Sequence, residues 1–363
     1  MKAIVLLLAA VTLPAADLTQ VEVFRSGTGG YHTYRIPALV TTVKGTLLAF
    51  CEGRRNGPGD SGDIDLLLRR SFDKGKTWGP VQVIADMGGD TIGNPTPVVE
   101  RRSGAIILLL TRNPGNTAER QIVDGTAVGT RTVWLTRSTG DGATWEAPVE
   151  ITAAVKSPDW TWYATGPGNG IQLSTGRLVA PCDHIVKGTT AMHSHVIYSD
   201  DRGRTWRLGG TAGEKTNESA VAELRDGALL LNARSYHGRN RRAIAYSRDG
   251  GLNWGEVQLD EALVEPVCQA SLVRAAPPGR KSGGLLLFSN PAGTTRVRMT
   301  VRLSRDDGKT WPVFRVVHAG PAAYSSLAVL RDRTIGLLYE RGDERPYERV
   351  TFARFPLAWL EGR

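Results

Sequence analysis

Cysteine is scarce in this chain. Three in 363 residues (Cys51, Cys182 and Cys268) are too few and too scattered for a disulfide framework. Each stands in an apolar, strand-like run and reads as a small buried hydrophobe. Histidine is also rare, at six residues. Only His193 and His195 are spaced to share a strand face as metal ligands would, and no third ligand follows at a suitable distance, so neither a metal nor a cofactor is expected. No later segment reaches 18 consecutive apolar residues, which excludes a helical membrane span from the mature chain. Lysine supplies only nine of the 45 basic residues. The net charge of +9 is carried by arginine without a dense basic stripe, and the short cluster Arg239, Arg241 and Arg242 reads as a hairpin tip, so nucleic acid is not an expected partner. Helix signals, linkers and low-complexity tracts are nearly missing too. What remains is a single all-β domain over residues 17–363.

The amino end is different in kind. Lys2 is followed by an apolar run from Ala3 to Leu13, then Pro14, Ala15 and Ala16 before Asp17. One positive residue, a short apolar stretch and small residues at its end describe a secretory signal peptide over residues 1–16. A secreted or periplasmic protein is expected.

Glycine (42) and tryptophan (nine) are the abundant signals, and many glycines mean many turns between short strands. Five of the tryptophans end copies of one pattern, Ser-x-Asp-x-Gly-x-Thr-Trp, starting at Ser71, Ser138, Ser199, Ser247 and Ser304. The fourth copy has Asn253 in place of threonine, and the second moves its aspartate one place, to Asp141. The logic is that of a hairpin corner: aspartate accepts turn amides, glycine supplies positive φ, and tryptophan lids the turn. Copies recur every 48 to 67 residues, enough for four short strands each, which predicts a six-bladed β-propeller with one blade lacking the box. The box carboxylates Asp73, Asp201, Asp249 and Asp306 are therefore scaffold, not chemistry.

Four segments are not explained by the turns: Tyr34–Leu39 with Arg35 ahead of Pro37; the polar glycine-rich stretch Glu52–Asp65; Asn217–Arg234; and Asn290–Ser326. These segments, in this order and with five boxes, resemble the bacterial exo-sialidase (neuraminidase) family, from Tyr34 to Glu340. The resemblance implies a sialidase-type six-bladed propeller and hydrolysis of terminal α-linked sialic acids with retention, on sialylated glycoproteins, glycolipids or oligosaccharides, by a monomer. It also implies a clamp of three arginines on the sugar carboxylate (Arg35, Arg234 and Arg296), a fork geometry that suits a planar anion. Arg298 is the alternative to Arg296, since two residues on would face the same side of a strand. By the same resemblance Tyr324 is the nucleophile, which avoids the like-charge repulsion a carboxylate would meet at a carboxylate-bearing carbon. A phenol near pKa 10 needs a partner base. Glu218 takes that role, with Glu223 ranked second.

Asp60, in the glycine-rich loop, is the implied general acid and base, with Asp63 and Asp65 as rivals nearer the next strand. Arg54 matches an additional pocket arginine, and Glu340 a carboxylate bracing Arg35 from behind. Trp160, Trp162 and the Gly166–Gly168 turn either wall the sugar site or pack a loop. Two other readings stay open: a propeller that binds sialoglycans or a protein without turnover, and a trans-sialidase working through the same residues.

Overall fold

The computed structural model describes residues 18–276 and 284–362. The proposed signal peptide, residues 1–16, lies outside the described residues. Strands dominate, and the three helices among the described residues, Glu119–Val123, Thr152–Val155 and Leu357–Glu361, are one turn or so each. None is long and apolar enough to cross a membrane.

The strands form six antiparallel blades around a central axis. Blade 1 runs outward through Thr33–Thr41, Leu47–Arg54, Ile64–Ser71 and Gln82–Ala85. Blade 2 is Thr91–Val99, Ile106–Asn113, Thr132–Ser138 and Val149–Glu150; blade 3 is Trp160–Thr165 with the short Ile171–Gln172, then Leu178–Val186, Met192–Ser199 and Arg207–Glu214. Blade 4 comprises Thr216–Glu223, Leu229–Ser235, Arg241–Ser247 and Gln258–Val264. In blade 5, Ser271–Arg274, Leu286–Pro291 and Val297–Ser304 are followed by the first half of the long strand Val313–Val329, whose second half opens blade 6. Ile335–Arg341 and Arg349–Phe355 continue that blade, and the N-terminal strand Thr19–Arg25 completes it by pairing with Arg349–Phe355.

That closure explains why five boxes serve six blades. Each box joins the third strand of a blade to its fourth, and in blade 6 those two strands come from opposite ends of the chain, so no turn is needed there. In blade 1 the Asp73 carboxylate accepts the Thr77 amide (2.9 Å) and hydroxyl (2.6 Å), while Ser71 Oγ accepts the Gly75 amide at 2.9 Å. Burial works against the charged form, yet these bonds outweigh it and hold the Asp73 carboxyl at about 2. In the degenerate second box Asp141 accepts Thr46 Oγ1 instead. Gly75 also shows what the boxes do for the ring: a Cβ there would meet the Phe352 ring of blade 6 at 2.0 Å. Gly142, Gly203, Gly251 and Gly308 likewise press on Leu48, Ile107, Val196 and Leu230 of the preceding blade.

The core is six seams, not one centre. Along Leu47–Arg54, Leu47, Ala49 and Cys51 pack toward blade 6, while Leu48 and Phe50 pack toward blade 2, the two-residue period of a strand buried on both faces. Corresponding clusters fill the other four seams. All three cysteines are free and buried. On the axis, Asn169 donates to the Leu39 and Leu327 carbonyls, and Gln269 to those of Pro167 and Ser325, so amide side chains plug the channel.

Candidate active site

In an antiparallel blade the turns from strand three to four lie on one face, and the loops from two to three and from blade to blade lie on the other. The boxes hold the first face; a cavity of about 190 Å³ opens on the second. The innermost strands slip register where they reach it, between Arg35 and Ala38, Gly93 and Thr96, Thr216 and Ser219, and Ala322 and Ser325. A bulge re-aims side chains, and Arg35, Asn94, Asn217, Glu218 and Tyr324 all fall within these slips. Ile36 shows the strain involved, with φ at 60°, a poor conformation for a β-branched residue. Its amide is held by Glu340 Oε1 at 2.9 Å.

Tyr324 and Glu218 meet at the bottom of the cavity, the phenol donating to Glu218 Oε1 at 2.5 Å. Burial, then the Glu218 charge, push the phenol well above its ordinary value, so it rests protonated. Arg234 Nη1 donates to Glu218 Oε2 (2.9 Å) and to the Tyr324 oxygen (3.3 Å). The Arg35 and Arg296 guanidiniums lie 5.1 and 5.7 Å from the Tyr324 ring centre. Three cations thus converge on one phenol, and two of their buried donors, Arg35 Nη2 and Arg234 Nε, have no partner among the described residues. Glu340, fully buried, accepts Arg35 Nε at 3.1 Å and the Tyr324 amide at 3.0 Å, tying clamp and phenol to one carboxylate.

Asp60 sits at the mouth, its side chain about half exposed, 2.7 Å from Arg54 Nη2 and 3.3 Å from Arg35 Nη1. Partial burial opposes its charge, but Arg54 and Arg35 outweigh that and hold its carboxyl below the ordinary value. Arg54 faces inward: Glu52 accepts its Nε and Nη2, and the Pro58 and Gly59 carbonyls accept Nη1 at 2.6 and 2.9 Å. It anchors the loop that carries Asp60. The rivals lie elsewhere, Asp63 and Asp65 paired with Arg55, and Glu223 at the opposite end of the axis against Ser174. Arg296 lines the cavity and Arg298 is exposed. The expectation that they share a strand face fails because the strand slips between Val297 and Met299, with φ of 63° at Arg298.

The two tryptophans divide. Trp162 walls the cavity under the Arg131 guanidinium, 4.1 Å from its ring, whereas Trp160 stacks on His184 at 3.5 Å. His195 pairs with His184 and His193 with the Ala212 carbonyl; among the described residues no three His, Cys, Asp or Glu side chains are grouped to hold a metal. Sequence reasoning missed Glu52, Asn94, Arg131, Asp183 and Tyr236, all lining the cavity. Arg131 donates to Asn94 Oδ1, and Asp183 accepts from Asn217, while burial pushes the Asp183 carboxyl well above its ordinary value. Glu52 opens the stretch Glu52–Asp65 singled out above but was given no role, and the other signal was Asn94 before a proline, a residue type that tolerates the left-handed φ of 54° found there.

Ring and cavity define a class of protein: a six-bladed propeller with three arginines gathered round a buried phenol that is hydrogen-bonded to a carboxylate. Comparison with known proteins narrows this. The BNR repeat-like domain matches residues 45–339. The chain is 37% identical over 360 residues to the sialidase of Micromonospora viridifaciens, across 95% of this chain and 54% of that one. It is 34% identical over 369 residues to an exo-alpha-sialidase of Aspergillus fumigatus, across 91% of this chain and 86% of that one. The solved structure of the Hadza microbial sialidase Hz136 superposes with a TM-score of 0.84 at 34% identity, covering 92% of this chain and 68% of that one. This chain spans about half the length of the Micromonospora relative. It belongs to the sialidase family.

Proposed function

We propose that this protein is an exported exo-α-sialidase that removes terminal sialic acid from glycoproteins, glycolipids or oligosaccharides with retention. The observation that carries the reading is the Tyr324–Glu218 pair, joined at 2.5 Å beneath three converging arginines. Arg35, Arg234 and Arg296 receive the sugar carboxylate, which sets the adjacent anomeric carbon over the phenol. Tyr324 Oη attacks that carbon while its proton passes to Glu218. The glycosidic bond breaks and the departing oxygen takes a proton from Asp60, leaving the anomeric carbon joined to Tyr324 Oη as an aryl ketoside. In the second half Asp60 removes a proton from water, whose oxygen displaces Tyr324; the phenolate regains its proton from Glu218. Two inversions give retention. The apolar run near the amino end supports export.

Incubation with a fluorogenic α-sialoside tests the reaction, and inactivity of folded protein across α-sialosides would end the hydrolase reading. Free sialic acid as product separates hydrolysis from transfer, and binding without release marks a lectin. Tyr324→Phe removes one hydroxyl and leaves the clamp, so it is expected to hold a planar sialic acid analogue near wild-type strength while turnover falls by several orders of magnitude. Near-normal turnover in that variant would move the nucleophile elsewhere.

A further inference from the structure

We propose that Tyr347 is the positioning residue that sets two of the clamp arginines, holding Arg296 free of any carboxylate so that its charge is left for the ligand. The inference rests on the sialidase reading of the same site. Tyr347 lies in the loop between Ile335–Arg341 and Arg349–Phe355, the second and third strands of blade 6, outside the segments that carry the family resemblance, and it does not line the cavity. Its ring lies under Arg35, whose guanidinium carbon is 4.1 Å from the ring centre, and its hydroxyl accepts Arg296 Nη1 at 2.5 Å. One side chain therefore touches two cations from different blades.

The three arginines are braced differently. Arg35 has Glu340 and Arg234 has Glu218, each within 3.1 Å. Arg296 makes no ion pair among the described residues; its close polar partner is the Tyr347 oxygen. A carboxylate there would orient Arg296 as well, but it would compete with the ligand's carboxylate for the same fork. A neutral phenol offers a lone pair to one guanidinium and the negative face of its ring to another, easing the repulsion between two like charges without cancelling either. The loop is fixed to the scaffold: Ser26 Oγ donates to the Tyr347 carbonyl, and the Glu348 carboxylate accepts the amides of Asp343, Glu344 and Arg345.

The test is calorimetric binding of 2-deoxy-2,3-dehydro-N-acetylneuraminic acid, with kcat and KM measured alongside. Tyr347→Phe deletes only the oxygen, so Kd and KM are expected to rise about tenfold, the scale of a hydrogen bond to a charged group, with kcat within about twofold. In an Arg296→Gln background the same change is expected to add nothing, because the residue through which it acts is gone. The methyl ester of the analogue, lacking the anion, is expected to show little difference between wild type and Tyr347→Phe. An unchanged Kd in Tyr347→Phe, a penalty that persists undiminished without Arg296, or a loss in kcat alone would each overturn the inference. Tyr347→Phe keeps the ring packing, and its melting curve checks that no general loosening is being read. Wild-type protein that binds the analogue but releases no sugar refutes the hydrolase while leaving this comparison intact; failure to bind the analogue at all refutes both.

Discussion

At the scale of single residues, the resting cavity places its proposed acid on the proposed clamp. Asp60 stands 3.3 Å from Arg35 Nη1 and 2.7 Å from Arg54, and those charges keep its carboxyl ionised below the ordinary range. A proton donor must hold its proton, so the free state is the wrong one for chemistry. An incoming carboxylate resolves this by claiming Arg35 and adding a negative charge beside Asp60, and both changes raise the Asp60 pKa. The sign follows: at a pH between the free and the bound values, ligand binding takes up a proton. Calorimetry of the planar analogue near pH 5 in two buffers of different ionisation enthalpy is expected to show uptake in wild type and a smaller uptake in Asp60→Asn. Equal uptake in both would assign the proton to another group lining the cavity.

At the scale of elements, the turn and the bulge differ in how far they can be read ahead of a structure. The box is legible because everything it needs is local: Asp73 reaches the amide and hydroxyl of Thr77 four residues on, and Gly75 fits a φ of 83°. Asp73→Ala is accordingly expected to lower stability by about 0.5–2 kcal/mol, as a lost cap does, with sugar affinity per folded molecule unchanged. Denaturant unfolding and turnover measured together check it, and a large loss of turnover at unchanged stability would mean that the box face carries chemistry. The bulges are opaque because their cause is distant. Arg35 turns into the cavity where Glu340, some 300 residues away in sequence, accepts both it and the Ile36 amide. Arg54 could be found by resemblance, but its role as anchor of the Asp60 loop appears only once the Pro58 and Gly59 carbonyls are placed. Resemblance pointed to Arg296, which lines the cavity, and Arg298 stayed open as its alternative only on regular-strand geometry, because the slip between Val297 and Met299 is invisible in the residues themselves.

At the scale of the whole molecule, the ring closes where the strands Thr19–Arg25 and Arg349–Phe355 pair beside the seam between blades 6 and 1. The strand Thr19–Arg25 adds Val23 and Phe24 to the cluster between blades 6 and 1, and Tyr339 donates to Gln20 across the same blade. The Arg35–Glu340 pair spans that seam, so the first clamp arginine belongs to one side and its brace to the other. A site drawn from all six blades is only as well aligned as its least continuous junction. Phe24 is almost fully buried, and Phe24→Ala removes it from the seam at a cost of about 3–5 kcal/mol. Phe314→Ala, on an outer strand where the ring is 52% exposed, is expected to stay within about 0.5 kcal/mol of wild type. The two variants separate general loss of apolar surface from loss of closure. Phe24→Ala is expected to weaken binding of the planar analogue at temperatures where its far-ultraviolet circular dichroism is still native, because the seam loosens beneath Arg35 before the blades unfold. If affinity instead holds until the whole fold melts, the N-terminal strand stabilises the ring without aligning the clamp, and Glu340 must be positioned by blade 6 alone.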